Sequence, residues 1–189
     1  MGKSTEGVVL FLVDGMRPDG MAQAHTPVMD ELAACGAYAL DAQTVSPSIT
    51  LPCIASLFLS CPPQVHQVTT NTWNPEAPGP GLIDLIHANG GRAASFYNWE
   101  PLRDLSRPGS LAAGIFLNNC EAPEGLGDLQ LSELAAEYLS REPVDFAFIY
   151  LGYTDVAGHR DGWMSPGYLA GIENADTCIG KVLAAVAGE

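Results

Sequence analysis

Gly7-Val8-Val9-Leu10-Phe11-Leu12-Val13 is an unbroken apolar run rich in β-branched residues, and it stops at an acid, Asp14. Such a run is the signature of a strand buried on both faces. Far along the chain the theme returns in Val144 to Leu151, with Phe146, Ala147, Phe148, Ile149 and Tyr150 as its apolar centre. Between and after these runs the pattern alternates. Thr26-Pro27 opens a helix that closes at Gly36, Ala37 to Val45 reads as a strand, and Leu51 to Ser60 as a short helix packing Ile54, Leu57 and Phe58. Gln64 to Pro80 reads as a loop, Gly81 to Asn89 as a helix and Arg92 to Tyr97 as a strand. Asn98 to Gly127 is dense in turn signals and yields only a short helix near Pro101 to Leu105. Leu129 to Arg141 is amphipathic, with Leu131, Leu134, Ala135, Tyr138 and Leu139 on one stripe. Ser165-Pro166 caps a last helix carrying Leu169, Ile172, Ile179, Val182, Leu183 and Val186. Strands alternating with helices, without an internal repeat or a dividing linker, predict one α/β domain over 1–189 with a mainly parallel sheet.

In open parallel sheets the carboxyl ends of the strands face the ligand crevice. Asp14, directly after the first run and before Gly15 and the turn-forming Arg17-Pro18-Asp19-Gly20, is therefore a candidate site residue. A turn or cap aspartate explains it equally. The second run leads into Asp155-Val156-Ala157-Gly158-His159, whose carboxylate and imidazole four apart suit a metal such as zinc. In Ser46-Pro47-Ser48-Ile49-Thr50-Leu51-Pro52-Cys53, Thr50 falls at a helix start, among unpaired backbone N–H groups where a phosphoryl group would dock. A capping threonine accounts for the same pattern. His66 and Asn71 read, on ordinary grounds, as loop surface.

The chain has 189 residues, with 22 acidic and 8 basic side chains and a net charge of −14, which argues against a nucleic-acid backbone or an anionic membrane as partner. An anionic substrate then needs local positive charge, and a bound metal is the natural source. Cys35, Cys53, Cys61, Cys120 and Cys178 form no C-x-x-C pair and read as reduced thiols of a cytoplasmic protein. Met1 to Glu6 lacks a signal-peptide core, Glu6 misses the myristoylation pattern, and Gly2-Lys3-Ser4 lacks the strand and glycine-rich loop of a phosphate-binding loop. No apolar run is long enough to span a bilayer.

Leu12-Val13-Asp14-Gly15-Met16-Arg17-Pro18-Asp19, Thr50-Leu51-Pro52 and Asp155-Val156-Ala157-Gly158-His159, in this order, resemble the alkaline phosphatase superfamily, and within it the type I phosphodiesterase/nucleotide pyrophosphatase family. The resemblance implies a three-layer α/β/α fold and a metal-dependent phosphohydrolase acting on a small phosphate ester through a phospho-threonine. It implies two divalent cations, zinc first and manganese as the other candidate. Asp14 and Thr50 match one ligand set, Asp155 and His159 the other, and Asn71 matches the asparagine that contacts phosphoryl oxygens. Sulfatase chemistry is not expected, because Cys53 does not begin the Cys/Ser-x-Pro-x-Arg pattern. A thiol hydrolase using Cys53 is a minor alternative.

In that family a further strand, an Asp-His pair and a later histidine follow the last helix seen here. None of His25, His66 or His87 stands in a matching context. The chain therefore reads as a truncated form of the domain, with an exposed sheet edge that favours self-association into a homo-oligomer. The competing reading is an inactive α/β binding or interaction domain with a degenerate metal site.

Overall fold

The computed structural model describes residues 7–74 and 79–188. The readings made on Met1 to Glu6, part of the Gln64 to Pro80 loop, and the end of the chain at Glu189 lie outside the described residues. In chain order the elements are β1 (Val8–Val13), α1 (Pro18–Met21), α2 (Pro27–Cys35), α3 (Thr50–Leu59), α4 (Pro63–His66), α5 (Leu82–Ala88), β2 (Ala93–Tyr97), a 3-10 turn (Glu100–Leu105), β3 (Ala113–Phe116), a second 3-10 turn (Pro123–Gly125), α6 (Leu126–Leu139), β4 (Phe146–Leu151), α7 (Tyr153–Asp161) and α8 (Pro166–Ala187).

The sheet runs β1-β4-β2-β3, and every described pairing is parallel. Parallel neighbours need crossover helices, and these cover both faces. Because side chains alternate along β4, Phe146, Phe148 and Tyr150 pack against α3, α5 and the first 3-10 turn, while Ile149 and Leu151 pack against α6 and α8. The result is the expected three-layer α/β/α arrangement. Phe58 of α3 meets Phe148 edge-on with ring centres 4.8 Å apart, an arrangement the ring quadrupoles favour.

Four expectations are corrected. The double-sided burial predicted for the first apolar run belongs to β4, whose six residues are all buried. β1 lies at the sheet edge, with Val8 exposed and the rest half-buried. Ala37 to Val45 is irregular, and all but Val45 is exposed, since its loose alternation finds no neighbouring strand. In the stripes, Leu57, Leu134 and Val186 face outward; α3 buries Leu51, Pro52, Ile54, Ala55 and Phe58 instead. Finally, the Asn98 to Gly127 region contains β3, which pairs with β2 from Ala94↔Ala113 to Tyr97↔Phe116. The predicted helix at Pro101 to Leu105 is present as the 3-10 turn. Among the described residues no helix is long and apolar enough to cross a membrane.

Candidate active site

The site lies at the carboxyl ends of β1 and β4, neighbours in space. The Asp14 amide donates to Leu151 O at 3.0 Å, extending the ladder one step beyond Val13↔Leu151 and fixing where the Asp14 carboxylate emerges. Directly after β4, α7 sets Asp155 and His159 on one face, one turn apart. Gly15 lets the two strand ends approach. It has φ +67°, and a Cβ there would stand 2.9 Å from Asp155 Cα, so only glycine satisfies both backbone and space.

α3 brings in the hydroxyl. Thr50 is the first helical residue, and the N-cap position belongs to Ile49, which has no side-chain acceptor to offer. Thr50 therefore does not cap the helix; its Oγ1 donates to Asp14 Oδ2 at 3.1 Å. The cap comes from outside, because Asn71 Oδ1 accepts the Leu51 amide at 3.0 Å. Asn71→Ala is accordingly expected to destabilise the fold by about 1 kcal/mol, as loss of an N-terminal cap does, and urea unfolding would check it.

Tyr150, missed as a site residue, donates its hydroxyl to the same Asp14 Oδ2 at 2.6 Å. Sequence reading absorbed it into an apolar strand; its place next to the carboxyl end of that strand was the available signal. Burial, reinforced by the Asp14 charge, pushes the Tyr150 phenol well above its usual range, so it remains a donor. Burial and then the nearby Asp14 charge also raise the Asp155 carboxyl, with His159 opposing. His159 Nε2 stands 3.6 Å from Asp155 Oδ1 and is largely exposed.

His66 is not loop surface. It is fully buried in α4, its Nδ1 accepts the Val68 amide at 3.0 Å, and its Nε2 meets Ser56 Oγ at 2.8 Å. With Nδ1 accepting, Nε2 carries the proton, and burial lowers the imidazole's pKa. The neutral ring thus ties the turn leading toward Asn71 to α3.

Asp14, Thr50, Asn71, Asp155 and His159 are brought together where two clefts meet. One, of about 930 Å3, extends over Ile49, Leu57 and Trp163; the other, of about 560 Å3, reaches Trp99, Cys120 and Arg160. The donor chemistry suits divalent cations: carboxylate and hydroxyl oxygens in one pair, carboxylate and imidazole in the other. The two carboxylates converge closely enough for one to raise the other, which a cation would relieve. Among the described residues no cluster of three or more His, Cys, Asp or Glu side chains forms, so each pair falls short of the three protein ligands of a catalytic zinc.

The sequence profile of type I phosphodiesterase/nucleotide pyrophosphatase matches residues 8–83 and 88–189. The chain belongs to this family. Two solved structures of murine ectonucleotide pyrophosphatase/phosphodiesterase 5 share its fold. One, an inactive threonine-to-alanine variant in complex with AMP, has a TM-score of 0.78 at 18% identity, covering 96% of this chain and 52% of that one. The other has a TM-score of 0.78 at 18% identity, covering 97% of this chain and 53% of that one. Phosphonoacetate hydrolase from Sinorhizobium meliloti 1021, in complex with phosphonoformate, gives 0.71 at 20% identity, covering 95% and 53%. No curated protein matches the chain in sequence. The present type I phosphodiesterase/nucleotide pyrophosphatase member thus has the alkaline phosphatase-like fold and spans about half the length of these structures.

Proposed function

We propose that the chain forms the threonine-bearing part of a metal-dependent phosphohydrolase centre of the phosphodiesterase/nucleotide pyrophosphatase type, acting on a small phosphate ester. The observation that carries this reading is the Thr50 hydroxyl, at a helix start and 3.1 Å from Asp14 Oδ2, facing Asp155 and His159 across shared clefts. Family membership supports it, as does the murine relative made inactive by replacing a threonine with alanine.

Thr50 Oγ1 is the nucleophile. It bonds to phosphorus as the ester oxygen departs, and its proton passes to Asp14 Oδ2, the acceptor it already faces. Asp14 passes that proton to the departed ester oxygen; water then bonds to phosphorus as the phosphorus–Oγ1 bond breaks, keeping one proton and returning the other to Oγ1. Tyr150, hydrogen-bonded to Asp14 Oδ2, orients that carboxylate. Asn71, held by its Oδ1 at the start of α3, has its Nδ2 for a phosphoryl oxygen. Asp14 and Thr50 would hold one divalent cation and Asp155 and His159 a second, zinc or manganese. Such cations supply Lewis-acid stabilisation of charge on the phosphoryl group. Any ligand beyond these two pairs would have to come from outside the described residues.

An inactive binding domain is the second reading, favoured by the two-member ligand pairs. Titration with zinc, combined with hydrolysis of bis(p-nitrophenyl) phosphate, separates the two. The proposal expects two ions per chain, one of them lost in Asp155→Ala, and zinc-dependent hydrolysis. Failure to bind zinc saturably would sink it. We also propose that 1–189 belongs to one, partial, catalytic domain of a cytoplasmic protein, in which the five free cysteines stay reduced. The outer edge of β1 is the place for self-association.

A further inference from the structure

Both halves of the site lead back to one buried side chain at the start of α8. Tyr168 is fully buried, its ring in the core beside Ile172 and Met29. Its hydroxyl is used twice: it donates to Gly15 O at 2.8 Å and accepts the Arg17 amide at 2.9 Å. Those two bonds clamp the turn that follows Asp14. Gly20 allows the turn and α1 to close on the ring, since a Cβ there would stand 2.9 Å from Tyr168 Cε1.

The opposite edge of the network reaches the other pair. Trp163 packs edge-on against Tyr168 with ring centres 5.3 Å apart, and edge-on against His159 at 5.3 Å. Gly158 makes this possible, because any Cβ there would lie 2.4 Å from the Trp163 ring. The backbone of the Asp14 turn and the ring of His159 are therefore referenced to a single phenol, which is itself fixed by α8. Ser165, whose Oγ accepts the Tyr168 amide at 3.2 Å, anchors that residue at the first turn of the helix.

We infer that Tyr168 is a positioning residue that sets the spacing of Asp14 against Asp155 and His159, through its hydroxyl on one side and Trp163 on the other. The inference rests on the functional reading above and adds a residue that touches neither substrate nor metal. A hydroxyl serving only stability would, when removed, lower the melting temperature and leave turnover alone. A hydroxyl that sets the spacing acts on the transition state, where small displacements are amplified, and less on substrate capture.

The test compares wild type, Tyr168→Phe, Trp163→Phe and Thr50→Ala in the full chain, with zinc and bis(p-nitrophenyl) phosphate. Amide exchange at Arg17 is followed alongside. Tyr168→Phe should accelerate exchange at Arg17 and lower kcat about tenfold or more with KM within about twofold. Trp163→Phe, which keeps a smaller ring, should lower kcat less. Faster Arg17 exchange with kcat unchanged would overturn the inference while leaving the function standing. Wild type without zinc binding or turnover, or a fully active Thr50→Ala, would overturn the functional reading and the positioning role with it.

Discussion

Thr50→Ala should lower kcat for an activated phosphodiester by about 10³-fold or more, the order expected when a covalent nucleophile is lost. The fold should survive, because Thr50 is half-buried and the helix start is capped by Asn71 rather than by the threonine hydroxyl. Thr50→Ser keeps the oxygen and should retain measurable turnover. The informative comparison is steady-state kinetics of the three proteins beside their melting curves. Full activity in a folded Thr50→Ala protein would remove Thr50 from the mechanism. Cys53 would then become the next nucleophile to test, by Cys53→Ala. Its thiol points to Pro47 O at 3.9 Å and bonds to no histidine or carboxylate among the described residues, so Cys53→Ala should leave turnover intact.

The second large effect concerns stability. Asp128, near the start of α6, has no exposed surface. Its Oδ1 accepts from Asn98 Nδ2 at 2.6 Å and the Gly152 amide at 3.1 Å, and its Oδ2 from the Tyr153 amide at 3.1 Å. One carboxylate thus joins the end of β2 to the start of α7, the helix that carries Asp155 and His159. Asp128→Ala would strip three buried donors at once, and about 3 kcal/mol of destabilisation at neutral pH is expected.

The pH dependence has a definite sign. Burial pushes Asp128 up to about 6, against the opposing hydrogen bonds from Asn98, Tyr153 and Gly152. In the unfolded chain it titrates near 4. Between those values the native state holds a proton that the unfolded state has lost, so this residue's contribution is full below about pH 4 and declines as pH rises through about 6, by about 3 kcal/mol. The penalty for Asp128→Ala should therefore be larger at pH 4.5 than at pH 7.5, as read by urea unfolding of both proteins. An equal penalty at both values would mean that Asp128 keeps an ordinary carboxyl in the native state.

Asp128 also marks where sequence reading stopped. Nothing in Leu126-Gly127-Asp128 separates a buried tie between strand ends from an acid in the first turn of a surface helix, because its partners Asn98 and Gly152 are distant in sequence. β4 was legible, since six consecutive apolar residues suit a position covered on both faces. β1 has nearly the same composition and takes an edge, because apolar content fixes what a strand tolerates and not which neighbours it acquires. β3 escaped notice as a four-residue strand containing Gly114, too short for a period to register. At the site, Asp14, Thr50, Asn71, Asp155 and His159 were each readable as residues adjoining strand or helix ends or a loop. Their meeting was implied by the family resemblance and not by spacing, while Tyr150 and His66 were not legible at all, because their roles depend on the partners the hydroxyl and the ring nitrogens find in the folded chain.

The placement of β1 also bears on how the molecule comes into being. Its one strand neighbour among the described residues is β4, with position 8 aligned to position 146. A ribosome therefore releases the amino-terminal strand long before its partner exists, and the Asp14 turn stays unanchored until Tyr168 has been made. Closing so long a loop is slow, and the waiting strand presents bare backbone donors and acceptors together with apolar side chains. Biosynthetic yield should thus depend on chaperone capacity more than the stability of the finished fold would suggest.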